Sequence, residues 1–189
     1  GSNTVDKRVI LAVAGSGKTT HIVNTLNTMS PGTRSLLITC TKNNLSNLRT
    51  KILRRFRYFP ENISLYEYFT FLYSFCFKPF LLRNTSAKGI NWEVPPSWTL
   101  RKKRTCKEYY FDNHNRLYHN RIAKLLQVED VLELVNQRVE KYYDNLFIDE
   151  IQDFGGHDFN LLRSITQSKV NVLFVGDFYQ HTFDTSRDG

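Results

Sequence analysis

The feature that most constrains this chain is a glycine-rich turn caught between an apolar run and an amphipathic stretch. Residues 8–14 read R-V-I-L-A-V-A. That short, β-branched run is the pattern of a strand buried on both faces. Gly15-Ser16-Gly17-Lys18-Thr19-Thr20 follows. Ile22, Val23, Leu26 and Met29 then recur at helical spacing until Ser30-Pro31-Gly32 breaks the helix. Glycines let the backbone wrap tightly, and the first N–H groups of a helix carry a partial positive charge. With a lysine beside them they form a cradle for phosphate oxygens. A strand, such a turn and a helix make one βα unit, and an α/β fold is expected.

The rest of the chain keeps that rhythm, breaks it, and resumes it. Residues 34–39 (R-S-L-L-I-T) read as a second strand, and Leu45, Leu48, Ile52 and Phe56 mark one face of the next helix. Residues 63–66 give a third strand, followed by an aromatic-rich helical stretch to about residue 82. Its aromatics read chiefly as packing. Residues 84–97, with Gly89 and Pro95-Pro96, read as a connector, and residues 99–143 as two or three helical pieces. Strand-like runs return at 145–148 (N-L-F-I) and 171–175 (N-V-L-F-V), with a helix through Leu161, Leu162 and Ile165 between them. Strands alternating with helices predict a parallel sheet covered on both faces. The expected organisation is a discontinuous sheet domain, 1–83 and 144–189, carrying a helical insertion at 84–143.

Charge narrows the partners. The net charge is +8, but 42–57 holds six basic residues and no acidic one, and 99–125 holds eight basic and two acidic. The remainder is slightly acidic, so two basic strips on such a body point to a polyanion at defined places. The run 101–104 (R-K-K-R) is a candidate grip on duplex DNA. Three scattered cysteines, Cys40, Cys76 and Cys106, give neither a disulfide frame nor zinc-ligand spacing. No apolar run is long enough to span a membrane and no leader pattern is visible, so a reducing cytoplasm is expected.

Residues 12–19, A-V-A-G-S-G-K-T, resemble the Walker A motif with Ala12 in place of its first glycine. In that motif Lys18 reaches the β- and γ-phosphates, and the Thr19 hydroxyl holds Mg²⁺. Leu146-Phe147-Ile148-Asp149-Glu150, an apolar strand ending in two carboxylates, resembles Walker B. There Asp149 holds Mg²⁺ directly or through water, and Glu150 orients and deprotonates the attacking water.

Together these segments resemble the first RecA-like motor domain of UvrD/Rep-type superfamily 1 helicases. The resemblance rests on Ala14 to Thr20, on Asp149-Glu150-Ile151-Gln152-Asp153, on Gly176-Asp177-Phe178-Tyr179-Gln180, and on Thr39-Cys40-Thr41-Lys42 as a single-strand contact element. It implies ATP on Ala14, Gly15, Ser16, Gly17, Lys18, Thr19 and Thr20, and Mg²⁺ on Thr19 and Asp149. It implies Glu150 as general base, Gln180 as sensor of the γ-phosphate, and Gln152 in the same coupling. Thr41 and Lys42 are expected at single-stranded DNA or a single/double-strand junction, with Arg54 and Arg55 on the adjacent basic helix. A second RecA-like domain of the parent chain supplies an arginine finger in that family. The implied activity is Mg-ATP hydrolysis coupled to movement on single-stranded DNA. The alternative is a nucleotide-gated DNA-binding switch in a repair or antiviral-defence complex, without unwinding. The family's upstream glutamine, which reads adenine, lies before residue 1 or is absent, and its T-x-H element is not recognisable near residues 65–67. After Gln180 the family's aromatic-Arg-Gly is replaced by His181-Thr182-Phe183.

Overall fold

In the computed structural model, residues 8–10, 17–149 and 155–175 are described. Their elements run β1 (Arg8–Ile10), α1 (Gly17–Thr28), β2 (Ser35–Thr39), α2 (Lys42–Phe56), β3 (Ile63–Glu67) and α3 (Tyr68–Phe71). A π-helical segment, Leu72–Phe77, carries α3 into α4 (Lys78–Thr85). Then come β4 (Ile90–Asn91), a 3₁₀ turn at Ser97–Arg101, α5 (Lys107–Tyr110), β5 (Leu117–Tyr118) and a 3₁₀ turn at His119–Arg121. The chain continues through α6 (Ile122–Val128), α7 (Leu132–Tyr142), β6 (Asn145–Asp149), α8 (Gly156–Thr166) and β7 (Asn171–Val175).

Five strands form one parallel sheet in the order β1-β7-β6-β2-β3, flanked by helices. The chain divides into two compact units. The first comprises Gly1–Tyr68, Gln137–Asp153 and Thr166–Gly189 and holds this sheet with α1 and α2. The second comprises Phe69–Asn136 and Phe154–Ile165. The second unit therefore opens earlier than the insertion read at 84–143, because the aromatic-rich helix joins it.

The sheet forms where the sequence is apolar without alternation. All five positions of β2 are buried, as are the last four of β6 and of β7. A strand buried at successive positions must be covered on both faces. On one face Ile22, Val23 and Leu26 of α1 and Leu48 and Ile52 of α2 pack with Leu37, Ile63, Phe147 and Leu173. Register is set at the amino edge. The Arg34 guanidinium donates to both Asp144 oxygens, at 3.3 and 3.0 Å, and to the Lys141 carbonyl at 2.6 Å, while the Arg34 N–H donates to Asp144 at 2.9 Å. These hydrogen bonds hold the Asp144 carboxyl below its ordinary range. They join the residues just before β2 and β6, whose pairing then runs from Ser35↔Asn145 to Thr39↔Asp149.

The second unit differs from the expected run of helices over 99–143. It holds a small parallel pair, β4 with β5, because the chain turns sharply at 112–115. Asp112 accepts from the His114 and Arg116 N–H groups at 2.8 and 2.9 Å, and Asn115 takes a left-handed φ of 58°. A short carboxylate that captures backbone donors in this way competes with helix formation. The aromatic stretch packs as expected: Phe71, Phe75 and Phe77 are buried, and Phe71 stacks on Phe75 at 5.3 Å.

Candidate functional site

The carboxyl edge of the sheet is one row of residues. Ile10 pairs with Val175, Val175 with Asp149, Asp149 with Thr39, and Thr39 with Glu67. Because every strand is parallel, the connections after β1 and β2 must leave from this edge and return to the other. Hence α1 and α2 both open at the row and run toward the amino edge. In open parallel sheets ligands sit at this carboxyl edge.

Three sequence candidates belong to elements that open or end at this edge. Lys18 is the second residue of α1 and is 5% exposed; Asp149 closes β6 and is 3% exposed. Two opposite charges so deeply buried require partners, since an isolated buried ion is costly. Thr19 is half-buried beside Lys18. The main-chain N–H groups of Gly17, Lys18 and Thr19 belong to the first turn of α1, where no intrahelical acceptor reaches them. This donor set fits phosphate, and the oxygens of Asp149 and Thr19 fit Mg²⁺, which takes one or two carboxylates and keeps several waters. Ala14, Gly15, Ser16, Glu150, Gln152 and Gln180 lie outside the described residues.

The four residues expected on DNA fall in two places. Thr41 is the N-cap of α2, its hydroxyl oxygen accepting from the Asn44 N–H at 3.1 Å. The hydroxyl proton stays available as a donor. Lys42 opens the helix and is exposed. Both lie just past Thr39, next to the Asp149 row. Arg54 and Arg55 lie in the last turn of the same helix, about 18 Å further along at 1.5 Å per residue. They line an open recess of about 350 Å³ with Lys51, Thr20, Val23 and Asn24. There the Lys51 ammonium donates to the Thr20 hydroxyl at 3.2 Å. Sequence spacing alone concealed Lys51, which bridges α2 to the helix that carries Lys18.

One further reading changes. Arg121, counted in the second basic strip, is 7% exposed and donates to the Thr99 hydroxyl and the Tyr109 carbonyl at 2.8 and 2.7 Å. It is a structural cation rather than a surface one. Cys40 is half-buried, and none of the three cysteines forms a disulfide. Among the described residues no helix is long and apolar enough to cross a membrane.

A family model described as AAA domain matches residues 3–184. The chain belongs to this AAA domain family, and it is a nucleotide-binding P-loop NTPase domain. No curated protein matches the chain.

Proposed function

We propose that this domain is the ATP-binding first motor domain of a UvrD/Rep-like superfamily 1 DNA helicase or translocase. The observation that carries the reading is the strand row itself. It sets Asp149 with one strand, β7, between it and β1, which leads to Lys18, and with β2, which carries Thr39 and leads to α2, between it and β3. A nucleotide held at Lys18 and a strand held at Thr41 and Lys42 thus share one sheet edge, with Asp149 between them in the strand order.

In this reading the Lys18 ammonium holds the β- and γ-phosphates, and the Thr19 hydroxyl and Asp149 carboxylate hold Mg²⁺. The metal, when bound, offsets charge on the phosphate oxygens. Glu150 orients the attacking water and takes its proton. Gln180 and Gln152 sense the γ-phosphate. Thr41 donates its hydroxyl proton to a DNA phosphate while its oxygen still caps α2, and Lys42 adds a point charge. A second RecA-like domain supplies the arginine that completes hydrolysis and the partner against which this domain moves.

The test is ATP turnover with and without single-stranded DNA, together with fluorescent strand separation, on the parent protein. DNA-stimulated turnover coupled to strand separation is expected. Turnover indifferent to DNA, with no strand separation, refutes the motor.

A further inference from the structure

The second unit carries an exposed aromatic surface that the nucleotide site does not use. Trp92 and Trp98 are 50% and 49% exposed, and Val94 and Leu100 between and beside them are 84% and 60% exposed. Large apolar side chains gathered within nine residues and left in water mark a contact surface rather than chance exposure.

The fold holds this surface rigidly. Trp92 and His119 each follow directly on the last pair of the register, Ile90↔Leu117 and Asn91↔Tyr118. Accordingly the Trp92 ring stacks on His119, centroids 5.7 Å apart and planes 25° from parallel. Phe69 meets the His119 ring edge-on at 4.9 Å and the Trp92 ring edge-on at 6.1 Å. The turn carrying Trp98 is pinned from beneath by Thr99, which is fully buried. Its hydroxyl donates to the Pro96 carbonyl at 2.5 Å and accepts from Arg121 at 2.8 Å. Arg104 donates to the carbonyls of Leu100 and Lys102 at 3.2 and 2.8 Å, and its guanidinium lies 4.2 Å from the Tyr109 ring centroid.

Charge identifies the occupant. Arg104 is committed to the backbone, but Arg101, Lys102 and Lys103 are exposed and form no ion pair among the described residues. Glu93 is the only acidic side chain from 92 to 104. Lysines are depleted from protein–protein interfaces, whereas aromatic faces beside unpaired cations are how single strands are held: bases stack and phosphates meet the cations. We propose that Trp92 and Trp98, with Arg101, Lys102 and Lys103, form a base-stacking surface for single-stranded nucleic acid, built from other residues than those expected on DNA in α2. It requires neither nucleotide nor the motor reading.

Trp92 and Trp98 are the only tryptophans in the chain, so intrinsic emission reports this surface directly. The experiment titrates the protein, without nucleotide, against a 15-mer of dT, a 15-mer of rU, an abasic strand of equal length and a duplex. Quenching by dT or rU is expected, and the stronger of the two tells which sugar is preferred. Trp92→Ala or Trp98→Ala should weaken binding of a labelled strand about 5- to 150-fold per lost stack. Lys102→Glu/Lys103→Glu, which touches no buried group, should lower affinity and flatten a log–log salt slope that three phosphate contacts set near −2. No quenching by dT or rU overturns the proposal. So does abasic or duplex binding as tight as dT, which means phosphates alone are held. An emission shift with protein concentration alone overturns it too, since a second copy then covers the surface.

Discussion

Replacing Asp112 with alanine should unfold the second unit early, and the structure says by how much. The Asp112 side chain is 8% exposed. Its Oδ1 accepts from the His114 and Arg116 N–H groups at 2.8 and 2.9 Å, and its Oδ2 accepts from the Asn91 amide at 2.8 Å and the Arg116 guanidinium at 3.0 Å. Arg116 is half-exposed, so that ion pair is worth about 0–1 kcal/mol. The other three bonds go to a charged acceptor, each worth about 1.5–3 kcal/mol alone but not additive, and a total near 3 kcal/mol is reasonable. At about 1–3 kcal/mol per molar urea, the midpoint should fall by about 1–3 M. The assay is urea unfolding followed by tryptophan emission, since both tryptophans lie in this unit and Trp92 adjoins Asn91. Asp112→Asn should recover little, because its NH₂ faces donors.

The pH dependence has a definite sign. Burial pushes the Asp112 carboxyl up, but hydrogen bonds from Arg116, Asn91 and His114 outweigh it and hold the group below its usual range. A depressed folded value stabilises above the unfolded value of about 3.9 and ceases to do so as pH falls through the folded one. The stability difference between wild type and Asp112→Ala should therefore be full above about pH 5 and shrink below it. An unchanged midpoint at pH 7, or a difference that does not shrink as pH falls below about 4, would refute the argument.

Lys18→Met keeps the buried stem and deletes the charge; ATP-analogue affinity should fall about ten- to a hundredfold with circular dichroism unchanged, and retained affinity would remove Lys18 from the phosphate site. Glu150→Gln in the parent protein should bind Mg-ATP but hydrolyse it about 10²- to 10⁴-fold more slowly, and wild-type turnover would mean that another group is the base. Leu37 is fully buried in the core cluster that α1 and α2 form with the sheet. Leu37→Ala should cost about 2–5 kcal/mol in thermal or urea unfolding, and a loss well under that would show that α1 and α2 close over the gap.

The sheet was legible because buried parallel strands write themselves as unbroken apolar runs. L-L-I-T, N-L-F-I and N-V-L-F-V all fall in strands, and G-S-G-K-T-T opens a helix at Gly17. The β4–β5 pair was not legible, since two-residue strands are shorter than any periodicity and depend on Asp112 and Asn115 making a turn. Nor could composition separate surface cations from structural ones. Arg121 and Lys103 look alike in a charge count, yet one sits under Thr99 and Tyr109 and the other in water. Likewise Arg54 and Arg55 seemed continuous with Lys42 until the length of α2 set them apart.

The strand order also fixes a timetable for synthesis. Among the described residues, β1 pairs with β7 alone, and Val175, opposite Ile10, leaves the ribosome 165 residues later. At about 5–20 residues per second the strand that leads into the phosphate turn waits about 8–33 s for its partner. Throughout that interval β2 can find β3, 28 residues along from Ser35 to Ile63, but the row linking Ile10 to Asp149 cannot exist. A nascent chain therefore gains its nucleotide-competent edge last, and a nucleotide arriving early meets a half-built sheet that offers it no seat.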